Sequence, residues 1–95
     1  MAKPNLKAAT DAFLRELSQA TGRSLGELAP LAPRYVEDAA AMRAEGATDE
    51  DMQVLADTLF GELQVKGIRF VTGMAQGGRV ALNILLAAAR AGIGV

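Results

Sequence analysis

The chain has 95 residues, a formal net charge of −1 and an apolar fraction of 51%, which predicts one small helical domain over residues 1–95. Aromatic residues make up only 4% of the chain, and this composition favours helices packed closely on one another. Because cysteine and histidine are both absent, thiol nucleophiles, disulfides, the usual structural zinc sites and imidazole acid-base chemistry are excluded. We therefore expect a non-enzymatic protein without a cofactor or a metal.

Residues 1–10 lack the continuous apolar core of a secretory signal, so we expect a bacterial-type cytoplasmic location. The longest nearly uncharged run, residues 80–89, is far shorter than the roughly 20 residues that a transmembrane helix needs. The chain is therefore not expected to span a membrane.

The first helix is predicted over residues 6–20, where apolar residues recur at spacings of three and four. Pro4 is tolerated only in the first turn of such a helix. Gly22 stands where a left-handed residue would end it.

A short second helix is indicated by Ser24 and Glu27, which have the spacing of a capping box. Pro30 and Pro33 limit it to one or two turns. Pro33 then suits the start of a third helix, which Gly46 would end.

The fourth helix has the clearest start in the chain. Thr48 offers a capping hydroxyl, and the three acids that follow it would lie in the positively polarised first turn. These acids are Asp49, Glu50 and Asp51.

Residues 63–72 are ambiguous, because they contain good strand formers such as Val65 and Ile68 and the helix breaker Gly67. Polar residues nevertheless recur every seven positions from 62 to 90. The alternation of a strand, with its period of two, cannot produce this spacing, whereas a helix can. We therefore predict helix through most of residues 49–91. The residues of this seven-spaced column are Glu62, Arg69, Gln76, Asn83 and Arg90.

As one rod, residues 49–91 would reach about 65 Å, whereas a compact chain of this size has a radius of gyration of about 12 Å. Either the glycines at positions 67, 73, 77 and 78 break the rod into two helices that fold back, most readily at Gly77 and Gly78, or another copy covers its exposed apolar face. Gly67 and Gly78 would let another backbone approach that face closely.

Charge is distributed unevenly along the chain. Residues 1–62 hold six basic residues and all eleven acids, a net charge of −5, whereas residues 63–95 hold four basic residues and no acid, a net charge of +4. Such a basic amphipathic segment suits an acidic protein or a membrane surface, or it packs beside the acidic start of the fourth helix, within one molecule or between two. Nucleic acid is disfavoured as a partner, because no aromatic residue accompanies the cations.

The C-terminal segment is apolar almost all round, since Asn83 is the only polar residue between positions 80 and 89. A helix of this kind is either central in its bundle or completed by a partner. Asn83 either fixes the register of an assembly or faces solvent. The last third also resembles, in its small and branched apolar residues, the C-terminal helices of rod and needle subunits of type III secretion, which implies a helical subunit of a secretion apparatus.

Residues 17–28 have the outline of a helix-turn-helix, with the turn at Gly22. Arg23 and Arg34 are its candidates for reading bases. A DNA-associated regulator is therefore one alternative function.

Together these patterns predict an all-α bundle of four or five helices with a long or broken, largely apolar C-terminal helix as its most buried element. We expect a homo-oligomer, most simply a dimer, that self-associates through this helix. An acidic protein partner and a peripheral position on a membrane surface are the alternatives. The predicted contact surface consists of Phe60, Phe70, Met74, Leu82 and Leu85 with a charged rim of Lys66, Arg69 and Arg79.

Overall fold

Helices account for most of the computed structural model, which describes residues 5–73 and 75–93. Within these residues there is no strand, so the prediction of an all-α bundle with four or five helices is confirmed. The helices are α1 (Leu6–Thr21), the single turn α2 (Leu25–Leu28), α3 (Ala32–Ala44), α4 (Asp49–Val65) and α5 (Gly77–Ile93), and a 3-10 turn (Ala29–Leu31) joins α2 to α3.

Side-chain caps start α1, α2 and α4. Asn5 Oδ1 accepts a hydrogen bond from the backbone N–H of Ala8 at the start of α1. At α4 the Thr48 hydroxyl and the Asp51 carboxylate each accept from the other residue's backbone N–H, at 3.2 and 3.0 Å, so the predicted hydroxyl cap is confirmed and forms a complete capping box. Ser24 caps α2 as predicted, although the Glu27 carboxylate accepts from the Arg23 guanidinium.

Helix covers most of residues 49–91, as predicted, but α4 ends at Val65 in a glycine cap, so the helical reading of the residues that follow Val65 is wrong. Gly67 has a φ of 76°, and its N–H donates to Gln64 O while Ile68 N–H donates to Leu63 O. This pair of bonds is a Schellman motif, and the buried Ile68 and Leu63 supply the apolar contact that usually accompanies it. Residues 66–73, 75 and 76 therefore belong to an irregular connection that is neither strand nor helix.

Glycine breaks the predicted rod into two helices, but the break begins at Gly67 and not at the favoured Gly77 and Gly78, which open α5. The seven-spaced column is consequently split: Glu62 belongs to α4, Arg69 to the connection, and only Asn83 and Arg90 to α5. No rod forms, and the described residues have a radius of gyration of 12.3 Å.

Helix α5 is the centre of the bundle. It packs against α1, α3 and α4, and it holds seven buried residues, more than any other helix of the described chain. The prediction that the C-terminal helix is the most buried element is therefore confirmed. Its buried residues are Gly77, Ala81, Ile84, Leu85, Ala88, Ala89 and Gly92.

The aromatic residue Tyr35 links three helices in the core. Its ring stacks on Phe13 of α1 with the ring centroids 6.5 Å apart, and its hydroxyl donates to the Glu62 carboxylate of α4. Burial raises the pKa of the Tyr35 phenol from 10.0 to about 12; the hydrogen bond to Glu62 and the negative charge of that carboxylate add to the rise, and Arg34 opposes it.

This raised pKa predicts a fold that loses stability in strong alkali. The folded chain favours the neutral phenol. The contribution of the Tyr35 phenol to the free energy of unfolding is therefore fully present below pH 10 and is lost as the pH rises toward 12. Tyr35 is the only tyrosine and tryptophan is absent, so tyrosinate absorbance will report this one group. We expect the midpoint of the Tyr35 titration in the folded chain to lie well above its midpoint in denaturant. Equal midpoints would contradict a buried, hydrogen-bonded phenol.

Candidate interaction surface

Two of the predicted contact residues lie inside the bundle. Leu85 is 0% exposed and Phe70 is 4% exposed, because α5 is surrounded on its inner side and the connection folds back over α4. The prediction that these side chains face a partner is therefore corrected: they belong to the core. Met74 lies outside the described residues.

Phe60 and Phe70 form a stack that closes the α4–α5 end of the bundle. Their ring centroids are 5.8 Å apart and their planes differ by 9°. The Phe60 ring also lies directly on Gly77, where a Cβ atom would overlap its edge. Gly77 is thus the glycine that permits a close approach at this end; Gly67 faces open space, and Gly78 lies against Gln53 and Asp57 of the same chain.

The predicted charged rim is exposed but does not form one arc. Lys66 and Arg69 lie in the connection, whereas Arg79 is in the first turn of α5. The connection itself is held against α1, since Val71 N–H donates to Ala20 O at 2.8 Å and the Arg23 guanidinium donates to Gly67 O at 3.2 Å.

The face of α5 that no helix covers is a narrow amphipathic strip, which we name the outer stripe. Its members follow spacings of three and four, so they lie on one side of the helix over about 21 Å. Arg79, Asn83 and Arg90 are exposed, Leu82 and Leu86 are half-buried, and Ile93 is 41% exposed. The stripe shares Arg79 and Leu82 with the predicted contact surface. It also includes Asn83, Leu86, Arg90 and Ile93.

A cleft with a basic rim lies along the C-terminal half of this stripe. Leu86, Ala89 and Ile93 line it with apolar surface, and it has a volume of about 320 Å³. Arg90 and Arg43 stand at its edge, and Arg43 is held there by bonds to Ala47 O at 2.7 Å and Asp49 at 3.2 Å. We name it the basic cleft.

A second cleft, with an acidic rim, lies between the end of α3 and the start of α4. Its apolar lining is Met42, Ala47 and Val54, and its volume is about 530 Å³. Glu45 and Asp51 lie at its edge. Val54 is 70% exposed, which is unusual for a large apolar residue on a packed helix. We name this site the acidic cleft, and sequence reasoning did not identify it.

The segment that resembles a helix-turn-helix lacks a recognition helix. Helix α2 has four residues and rises about 6 Å, so it is too short to lie along a major groove. Arg23, the first candidate for reading bases, is bound to Glu27 at 2.7 Å. The structure therefore gives this alternative no support.

Neither a metal site nor a membrane span is evident in the part of the chain that the structure describes. No group of three or more acidic side chains there could hold a metal ion. None of the described helices is both long and apolar enough to cross a bilayer.

No family model matches this chain, and no curated protein or solved structure matches it either. The function must therefore be inferred from the surface of the molecule itself.

Proposed function

We propose that this chain is a non-enzymatic, cytoplasmic interaction module that self-associates through the outer stripe of α5. The observation that carries the proposal is the line of Leu82, Leu86 and Ile93, which keeps apolar surface in contact with water although three helices already cover α5. Arg79 precedes this line, and Arg90 lies between Leu86 and Ile93. An apolar centre with a charged rim is the usual arrangement of a protein interface.

Such an interface is expected to be weak. A single stripe about 21 Å long is at the small end of specific interfaces, so dissociation constants in the micromolar to millimolar range are expected. The smallest assembly that this interface can form is a dimer. Sedimentation or light scattering should then give a mass that rises with protein concentration.

The proposal predicts that Leu82→Gln together with Leu86→Gln lowers this mass at every concentration. Glutamine keeps helix propensity and removes the apolar surface, so the helix should persist while the contact is lost. Far-ultraviolet circular dichroism will check that the variant remains folded. Gln64→Ala plus Val65→Gln, at exposed positions at the end of α4 away from both the stripe and the acidic cleft, is a control that should leave the association unchanged.

Association that survives in the double glutamine variant, or a wild-type chain that stays monomeric at about 1 mM, would contradict the proposal. The stripe also combines exposed arginines with apolar side chains, the features of a helix on an anionic membrane surface. A monomeric wild-type chain that floats with phosphatidylglycerol vesicles would favour this second candidate.

A further inference from the structure

The molecule carries two exposed apolar surfaces with opposite charge. The outer stripe has Arg79 and Arg90, and the sequence of α5 contains no acid. The acidic cleft has Glu45 and Asp51 at its edge, and the exposed Glu50 lies one turn before Val54 on α4. Opposite charges around two apolar surfaces are the condition for electrostatic complementarity between them.

The apolar part of one surface projects from a helix, whereas the apolar part of the other lines a cleft. The stripe presents branched side chains, Leu82 and Leu86, that project from a helix. The acidic cleft is a concave site lined by Met42 and Val54, and methionine adapts readily to the shape of a neighbour. Contact would remove the largely exposed Val54 from water.

The two surfaces face different directions in one molecule. Asp49 lines the basic cleft beside the stripe, whereas Asp51 lines the acidic cleft. Two residues along a helix is a rotation of about 200°, so the clefts lie on nearly opposite sides of the start of α4. The stripe and the acidic cleft of one molecule therefore cannot contact each other.

We infer that the acidic cleft of one copy is the docking site for the outer stripe of a second copy. The inference rests on the proposed function, because it names the surface that the same stripe meets. The contact is head-to-tail, since each copy contributes a different surface. Assembly then continues beyond the dimer, into a ring or an open chain, because every docked pair leaves the stripe of one copy and the acidic cleft of the other free.

Exchange of charges tests this inference. The stripe variant carries Arg79→Glu and Arg90→Glu, and the cleft variant carries Glu45→Lys and Glu50→Lys. Each variant alone has two like-charged surfaces, so its dissociation constant should rise by about tenfold or more. In an equimolar mixture the charge-reversed stripe of one variant meets the charge-reversed acidic cleft of the other, and the two again carry opposite charges, so the mass measured by sedimentation should return toward that of the wild type.

Matched reversals elsewhere on the surface serve as controls. Lys7→Glu plus Arg15→Glu on α1, and Glu37→Lys plus Asp38→Lys on α3, change the same numbers of exposed charges and should leave association unchanged. Asp51 is kept because it caps α4. Added salt should weaken wild-type association, since these charges are exposed.

The possible results separate the inference from the proposed function. If the double glutamine variant abolishes association but the cleft variant does not, stripes pair with one another and the inference is overturned while the proposed function stands. A mixture that fails to regain mass overturns it likewise. If the wild-type chain is monomeric and binds polyglutamate through its stripe, the occupant is an acidic partner and both ideas are overturned.

Discussion

Replacing Leu85 with alanine is expected to lower the free energy of unfolding by about 2–5 kcal/mol. The Leu85 side chain is fully buried in the helix that packs on α1, α3 and α4, so truncation removes contacts to several elements and leaves a cavity. A domain of this size is typically stable by about 5–15 kcal/mol, so the loss is a large part of the total. Urea unfolding at low protein concentration will measure it without a contribution from association.

Leu82→Ala is the matched control, because it changes the same residue type one turn earlier in α5. Leu82 is half-buried on the outer stripe, so its truncation should cost clearly less stability than that of Leu85. It should instead weaken self-association. An equal loss of stability in both variants would mean that the two leucines are equally buried, contrary to the arrangement described above.

The contrast between Leu82 and Leu85 illustrates what the sequence could not reveal. Residues 80–89 are apolar almost all round, so periodicity could not distinguish the covered side of α5 from its open side. That distinction depends on which helices surround α5, and it follows from tertiary packing. The spacing of Arg79, Leu86 and Arg90 was present in the sequence, but it becomes a stripe only once the inner side is known.

Local signals were more reliable than long-range periodicity. The caps at Thr48 and Gly22 could be predicted because their bonds join residues only a few positions apart. Gly67 followed by Ile68 carried the signal of a Schellman end, but the seven-spaced column outweighed it. The residues of that column are divided among α4, the connection and α5, so their even spacing across the break was coincidental.

The burial of Phe70 was beyond local reasoning altogether. It requires the connection to fold back until Phe70 stacks on Phe60 and Val71 bonds to Ala20. The second of these contacts joins residues about 50 positions apart, which no local pattern encodes. The acidic cleft joins nearby residues, but it depends on how the start of α4 lies beside the end of α3, so it appeared only with the structure.

The substitution Gly77→Ala should destabilise the fold by about 1–3 kcal/mol, whereas Gly78→Ala should be neutral or stabilise it by up to about 1 kcal/mol. At Gly77 the new Cβ would overlap the Phe60 ring, which must move and disturb its stack on Phe70. At Gly78 the nearest atom to a new Cβ is Asp57 Oδ1 at 3.3 Å, so little has to shift. The two changes add the same methyl group to neighbouring positions of one helix, and thermal unfolding will compare them.

The Phe60 ring itself provides the decisive control. In a Phe60→Ala background the obstructing atoms are gone. Gly77→Ala should therefore lower the free energy of unfolding much less than it does beside the intact ring. The difference between the two costs is the coupling between Gly77 and Phe60. If alanine at position 77 costs the same in both backgrounds, the ring does not exclude a side chain there, and the close approach that joins α4 to α5 has been assigned to the wrong contact.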